Sequence, residues 1–386
     1  MNILLVGSKC RFLQLLTDKL DKEGHRVFLL TAEDKSVRTS KKIFETYHFA
    51  YDNPCIREVL EGVRPDVTVF MGAYDTGFLW GKGSSTASAY TSGLFQLLMN
   101  ETAGNVGRFL YLSSEEVFGG EYTQDISCEE NCAAYTVRAQ AIAAGEELCR
   151  SYFNMGYETI VLRLDHLYGE PLTGAEARDI CARMSVEGLE TGEIRVNPHN
   201  RVALLHYSDA VEFLYAVITA KKMTYGVYQI SSGETISVRS AAEFVAAELE
   251  GVKVVEDTGR ERMEPVLSNQ RFAEEFGIRI VHKPETEIGR EAAYIRQHAS
   301  SFVRTQSRKK GWSRFGERSR EAVRAMIPFA ENLLCFLPFF LLNNWMAGSA
   351  YFQNIDFYLL YVLLFAITYG QQQATFSSIL AVAGYL

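Results

Sequence analysis

The feature that most constrains the fold of this chain is an alternation: short apolar runs, each long enough for one buried strand, repeat between stretches with helical period. Residues 2–6 precede a helical stretch at 13–22, and a second run follows at 26–30. The same rhythm returns at 56–60 and 67–71, at 94–100 and 108–112, and at 134–153 and 158–164. Strands that are apolar throughout are buried on both faces, which requires a parallel sheet covered by crossover helices. The expected fold is α/β, a doubly wound parallel sheet. After Gly169-Glu170-Pro171 the rhythm loosens into 195–206, a helix at 209–220, a strand near 228–231 and a helix at 238–249. This predicts a small C-terminal substrate lobe at the carboxyl edge of the sheet, where ligands of open α/β sheets lie.

A chain of 386 residues exceeds one average domain. Up to residue 302 charged and apolar residues interleave, whereas from 325 onward Glu331 and Asp356 are the only charged residues. Between them lies a basic segment with Arg304, Arg308, Lys309, Lys310, Arg314, Arg318, Arg320 and Arg324 against Glu317 and Glu321. The expected division is an α/β domain at 1–302, a basic juxtamembrane linker at 303–324 and a transmembrane helical segment at 325–386. A span takes about 20 residues. Residues 325–342 supply 18, and 357–369 supply 13 that need flanks. Two or more spans are expected, and the apolar run at 374–386 reads as cut from something longer. Basic residues mark the cytoplasmic side, so the expected location is the cell membrane, multi-pass, with the N-terminal domain in the cytoplasm.

The formal net charge of −8 argues against a nucleic-acid partner, which needs clustered Lys and Arg. Seven cysteines without a CxxC pair fit reduced thiols. Cys128 and Cys132 are spaced CxxxC with no second ligand pair, so no metal site is expected there.

The turn after the first run reads Gly7-Ser8-Lys9-Cys10-Arg11-Phe12-Leu13. A dinucleotide-binding turn uses glycines for a tight bend, close backbone approach to pyrophosphate and close helix packing. Only Gly7 stands; Cys10 and Leu13 occupy the other two positions. A ribose-binding acid at the end of the second strand is absent or displaced: Thr31-Ala32 come there, with Glu33 and Asp34 late. Arg38, Lys41 and Lys42 read either as contacts for a 2′-phosphate or as a solvated basic face.

A later order of segments is more specific. Residues 108–119 read RFLYLSSEEVFG, Tyr135 follows, then LRLDHLYG at 162–169, LLHYSDAV at 204–211 and GVYQISSGE at 226–234. This order resembles the extended short-chain dehydrogenase/reductase family, the NAD-dependent epimerases and dehydratases of nucleotide sugars, over residues 1 to about 300. The resemblance implies a Rossmann-like fold, NAD or NADP as cofactor and a nucleotide sugar as ligand. It implies Tyr135 as acid/base with Ser114 sharing its hydrogen bond, and a Lys four residues on to lower the phenol pKa. That place is Ala139. Arg138, one residue early on a helix, points about 100° away from position 139 and is a poor substitute unless the helix is rotated. Glu115 and Glu116 occupy the places of the dehydratases' acid/base pair, which leaves open either dehydration or a common sequence variant. The cofactor contacts it implies fall on Gly7, Ser8, Cys10, Phe12, Thr31, Gly72, Ala73, Ser113 and His166. Tyr90 stands where the family usually carries Asn.

These losses fall together on cofactor and chemistry and spare the strands, which is the pattern of a pseudoenzyme. Residues 328–332 and 356–370 resemble the membrane region of PelD-like exopolysaccharide-secretion receptors. Two readings follow. One is a membrane-tethered, inactive or weakly active binding or scaffold domain in exopolysaccharide biosynthesis or secretion, with a synthase or secretion component as partner. The other is an active NAD(P)-dependent nucleotide-sugar epimerase or dehydratase. A homodimer through the two long helices, as in relatives, fits either.

Overall fold

The computed structural model describes residues 1–32, 40–48, 56–75, 84–103, 107–119, 125–172, 176, 179–258, 266–277, 279–302, 329, 331–343, 345, 357–369 and 371–385. The chain falls into two compact units, Met1–Arg304 and Thr305–Leu386.

In the first unit the elements run β1 (Asn2–Val6), α1 (Arg11–Lys22), β2 (Arg26–Thr31), β3 (Ile43–His48), α2 (Arg57–Val63), β4 (Val67–Phe70), α3 (Ser84–Ala103), β5 (Arg108–Ser114), α4 (Val137–Asn154) and β6 (Thr159–Leu164). Then follow β7 (His166–Tyr168), α5 (Ile180–Thr191), β8 (Glu193–Val196), β9 (Arg201–His206), α6 (Tyr207–Thr219), β10 (Val227–Ile230), β11 (Thr235–Ser237), α7 (Val238–Glu248), β12 (Lys253–Glu256), α8 (Gln270–Phe276) and α9 (Pro284–Gln297). Seven strands form one sheet in the order β10-β6-β5-β4-β1-β2-β3, and every neighbouring pair is parallel. This is the expected Rossmann-like sheet. The order reverses direction between β1 and β4, and the crevice above that point is where open α/β sheets take ligands.

Both faces of the sheet are packed, as the apolar strands require. Leu5, Leu29, Val69, Leu110 and Leu162 face one core with α1 and α6. Leu4, Phe28, Phe70, Tyr111 and Val161 face the other with α3 and α4. The smaller lobe closes a separate core from Tyr168, Met184, Ile194, Leu204, Val245 and Ile288.

Three departures from the sequence reading have physical causes. β3 escapes the apolar-run criterion because it is an edge strand with an exposed Glu45. The short strands β7, β8, β11 and β12 carry too few residues for a pattern. α4 begins at Val137, not 134, because Thr136 caps it through its hydroxyl, which accepts from the Ala139 amide at 3.0 Å; Tyr135 therefore lies outside the helix.

In the second unit helices Phe357–Tyr369 and Gln371–Tyr385 are described, with helical residues at 331–343. Among the described residues no helix is long and apolar enough to cross a membrane. A 13-residue helix reaches about 20 Å, against about 30 Å of hydrocarbon. The basic segment at 304–324, residues 325–328 and Asp356 lie outside the described residues, as do Glu33, Asp34 and Arg38.

Candidate functional site

At the carboxyl ends of β1, β4, β5 and β6 lies a cavity of about 260 Å³. The turn after β1 brings Cys10, Arg11 and Phe12 to it, and the 3-10 turn Gly72–Tyr74 after β4 brings Ala73, Tyr74 and Asp75. The end of β5 brings Ser114, Glu115 and Glu116. Gly72 is required at its place: its φ is +54°, and a Cβ there would meet the Leu112 carbonyl oxygen at 2.0 Å.

The backbone donors that would face a pyrophosphate are already bonded within the chain. The Ser8 amide donates to Asp75 Oδ1 at 3.1 Å. The Arg11 amide donates to Glu176 Oε2 at 3.1 Å, and the Leu172 amide donates to the same oxygen at 3.0 Å. Cys10 is the N-cap of α1, and its buried sulfur accepts from the Leu13 amide at 3.4 Å. Two internal carboxylates and a thiol thus occupy the positive end of the helix, where an anion is most favoured. The lining carries five carboxylates, Asp75, Glu115, Glu116, Glu176 and Asp179, against the guanidiniums of Arg11 and Arg138. A pyrophosphate entering this arrangement would meet those acids and amides that are already engaged within the chain.

Of the expected catalytic residues, the structure brings three together. Ser114 is buried and caps the turn after β5, its hydroxyl accepting from the Glu116 amide at 3.3 Å. Glu115 pairs with His166 Nδ1 at 3.2 Å. Glu116 pairs with Arg138 at 3.0 Å, and that guanidinium also donates to the Ala73 carbonyl at 2.6 Å. Arg138 therefore reaches the cavity, the outcome that a rotated helix allows. With the helix beginning at Val137, its first-turn rotation aims Arg138 at the site and buries Ala139.

Tyr135 stands apart from the other catalytic candidates. It is 71% exposed, does not line the cavity, and its ring lies over Gly119, where a Cβ would come within 2.1 Å of it. The Tyr135–Ser114 hydrogen bond implied by the resemblance is not formed. Among the expected cofactor contacts, Cys10, Phe12, Ala73 and His166 line the cavity, whereas Gly7, Ser8 and Gly72 do not. Met71 fills the space beside Gly7. Thr31 and Ser113 are buried away from it. Ser113 points to the opposite face of β5 and donates to Glu146 on α4, a consequence of the two-residue period of a strand.

The residues that sequence reasoning missed are Tyr74, Asp75, Glu176, Asp179 and Tyr207. The Tyr74 hydroxyl donates to the Leu164 carbonyl at 3.1 Å, and Tyr207 stacks on Phe12 with ring centroids 6.0 Å apart. Glu176 sits in a loop distant in sequence from the turn it meets, and no local pattern announces it.

The family described as "NAD dependent epimerase/dehydratase family" matches residues 13–231, more than half of the chain. No curated protein matches in sequence. Among solved structures, a dTDP-glucose 4,6-dehydratase from Bacillus anthracis in complex with NAD is similar with a TM-score of 0.64 and 14% identity, over 78% of this chain and 98% of that one. A UDP-glucose 4-epimerase with UDP-glucose from Thermotoga maritima gives 0.64 and 15%, over 78% and 100%. A dTDP-glucose 4,6-dehydratase from Streptomyces venezuelae with NAD bound gives 0.63 and 16%, over 78% and 98%. At these identities the likeness concerns the fold.

Proposed function

The chain belongs to the NAD dependent epimerase/dehydratase family, and we propose that it uses the family's fold as a binding and docking domain without the family's redox chemistry. The observation that supports this reading is the internal bonding of the Ser8 and Arg11 amides to Asp75 and Glu176. Dinucleotide binding would have to displace both carboxylates and then meet the remaining acids of the wall. Tyr135 adds to this: a free phenol titrates near 10 and needs a neighbouring cation to act at neutral pH. Ala139 supplies none, and Arg138 is committed to Glu116. The ligand class that suits the cavity is neutral or cationic. A sugar moiety meets that condition better than its nucleotide diphosphate.

The second reading, an active NAD(P)-dependent nucleotide-sugar epimerase or dehydratase, is favoured by family membership and by NAD in the similar structures. Isothermal titration of the full chain with NAD, NADP and a panel of UDP- and dTDP-sugars separates the two. The expected result is no saturable dinucleotide binding at millimolar concentration and no turnover. Turnover that disappears in Tyr135→Phe and rises in Ala139→Lys would overturn the docking reading.

The same proposal places the protein at the cell membrane, multi-pass, with residues 1–302 on the cytoplasmic side, serving an exopolysaccharide synthase or secretion complex. The basic segment at 304–324 and the exposed Leu333, Leu334, Leu337, Leu341, Leu359, Leu360, Leu363 and Leu364 support membrane contact. The resemblance of the tail to PelD-like proteins supports the partner. Recovery of the full chain in the carbonate-resistant membrane fraction is expected; release into the soluble fraction would remove the tether. Phe95 and Met99, exposed on α3, support a homodimer through the long helices, which light scattering of the purified chain tests.

A further inference from the structure

The first cavity and a second one share a buried group of potential ligands that the family's chemistry does not use. Asp179 is the N-cap of α5, Cys181 is the second residue of that helix, and Glu291 lies on α9. One ligand atom from each lies within 4.8 Å of the other two. Cys181 is fully buried and Glu291 is 1% exposed. Asp179 spends one oxygen on the helix cap, accepting from the Ala182 amide at 2.9 Å. Its other oxygen, and both oxygens of Glu291, lack a partner in good hydrogen-bond geometry among the described residues; the two carboxyls face each other, and the Gly169 amide lies against Glu291. Buried carboxylate oxygens left this way cost several kcal/mol unless a proton or a cation meets them.

We propose that Asp179, Cys181 and Glu291 form a site for a thiophilic divalent cation of the zinc type, which clips the start of α5 to α9. The donor set argues for the class of ion. Calcium and magnesium take oxygen ligands, whereas a thiolate selects zinc or a similar borderline ion, which also accepts carboxylates. Bond lengths of about 2.3 Å to sulfur and about 2.1 Å to oxygen put tetrahedral ligand atoms roughly 3.5 Å apart. The side chains would close by about 1 Å, a motion within the reach of side-chain torsions. Three protein ligands leave a fourth position for water.

The group borders a cavity on each of two sides. Asp179 lines the first cavity. Glu291 lines a second cavity of about 210 Å³ together with Glu287, His206 and His282. Burial pushes the Cys181 thiol well above its ordinary pKa, so binding replaces a proton: Cys181–SH and the ion give the ion-bound thiolate and a released H⁺. The Glu291 carboxyl is raised in the same way by burial and by Asp179, and any proton it carries leaves with the first. The site is separate from the CxxxC pair Cys128 and Cys132.

Titration of the chelator-stripped full chain with Co²⁺ tests the proposal. The expected result is a near-ultraviolet thiolate-to-cobalt charge-transfer band that saturates at one equivalent, is displaced by Zn²⁺, and is absent in Cys181→Ser. Asp179→Asn keeps a good helix cap and removes the anionic ligand. It should fold with the wild-type apo melting temperature and bind Co²⁺ at least tenfold more weakly. A wild-type chain without the band, or a band that persists in Cys181→Ser, would overturn the assignment. So would Glu291→Gln stabilising the protein with metal affinity unchanged, which would make the pair a proton-sharing carboxyl dyad.

Discussion

Arg163 and Glu146 are both fully buried between the sheet and α4, and they bond each other through Nε at 3.0 Å and a terminal guanidinium nitrogen at 2.7 Å. Ser113 adds a donor to the same carboxylate and Phe118 lies under the guanidinium. Removing one charge would strand the other, and breaking a buried pair costs about 3–5 kcal/mol. Glu146→Gln should therefore lower the free energy of urea unfolding by that amount, while Glu146→Leu combined with Arg163→Met should recover most of it. Asp165 behaves differently. It accepts from the His166 amide at 2.9 Å, its second oxygen meets no donor among the described residues, and burial raises it from an ordinary 3.8 to about 7. The groups facing it are His166, Glu115 and Ser231. Between pH 3.8 and about 7 the folded chain keeps a proton that the unfolded chain has released. Stability then falls as pH rises through that window, by a few kcal/mol in all at about 1.4 kcal/mol per unit. Asp165→Asn should thus gain on wild type in urea unfolding at pH 8 and lose that gain at pH 4; a pH-independent difference would contradict the cause given.

At the scale of elements, helix α4 decides most about the site. Its start at Val137 turns Arg138 inward and leaves Tyr135 exposed outside the helix. Its midpoint must pass close to β5: a Cβ at Gly145 would meet the Tyr111 hydroxyl at 2.4 Å and Leu94 at 2.9 Å. Helix propensity alone favours Ala over Gly by about 1 kcal/mol. Overpacking of a filled core costs about 1–3 kcal/mol, and the contact here includes a ring whose hydroxyl already bonds Tyr90 at 3.0 Å and the Ile142 carbonyl at 3.0 Å. Gly145→Ala should be destabilising by about 1 kcal/mol or more in thermal unfolding. A stabilised variant would show that propensity wins and that α4 can shift away from the sheet. The element scale also explains which boundaries were legible. The starts of β1 and β2 follow directly from apolar runs. The start of α4 depends on Thr136, a cap that competes with the alanines before it.

For the molecule as a whole, Met1–Arg304 contains its own closed cores, and Thr305–Leu386 is a unit apart. Residues 1–304 expressed alone should unfold cooperatively, with a melting temperature within a few degrees of the corresponding transition in the full chain. Calorimetry checks this, and failure of the fragment to fold would show that the tail contributes to the first unit.

The sequence by itself determined the sheet and its parallel sense, because strands apolar on both faces admit only a doubly covered arrangement. It also located the turn after β1, the β5 end with Ser114, Glu115 and Glu116, and the absence of a Lys at 139, since these depend on residues adjacent in the chain. Only the tertiary structure decided what fills the cofactor turn and which way the site's side chains point. Glu176 meets Arg11 across 165 positions and Asp75 meets Ser8 across 67. Glu291 reaches Asp179 from another helix. Pairings of that kind are set by how helices and loops return to one edge of the sheet, and no local period or propensity encodes them.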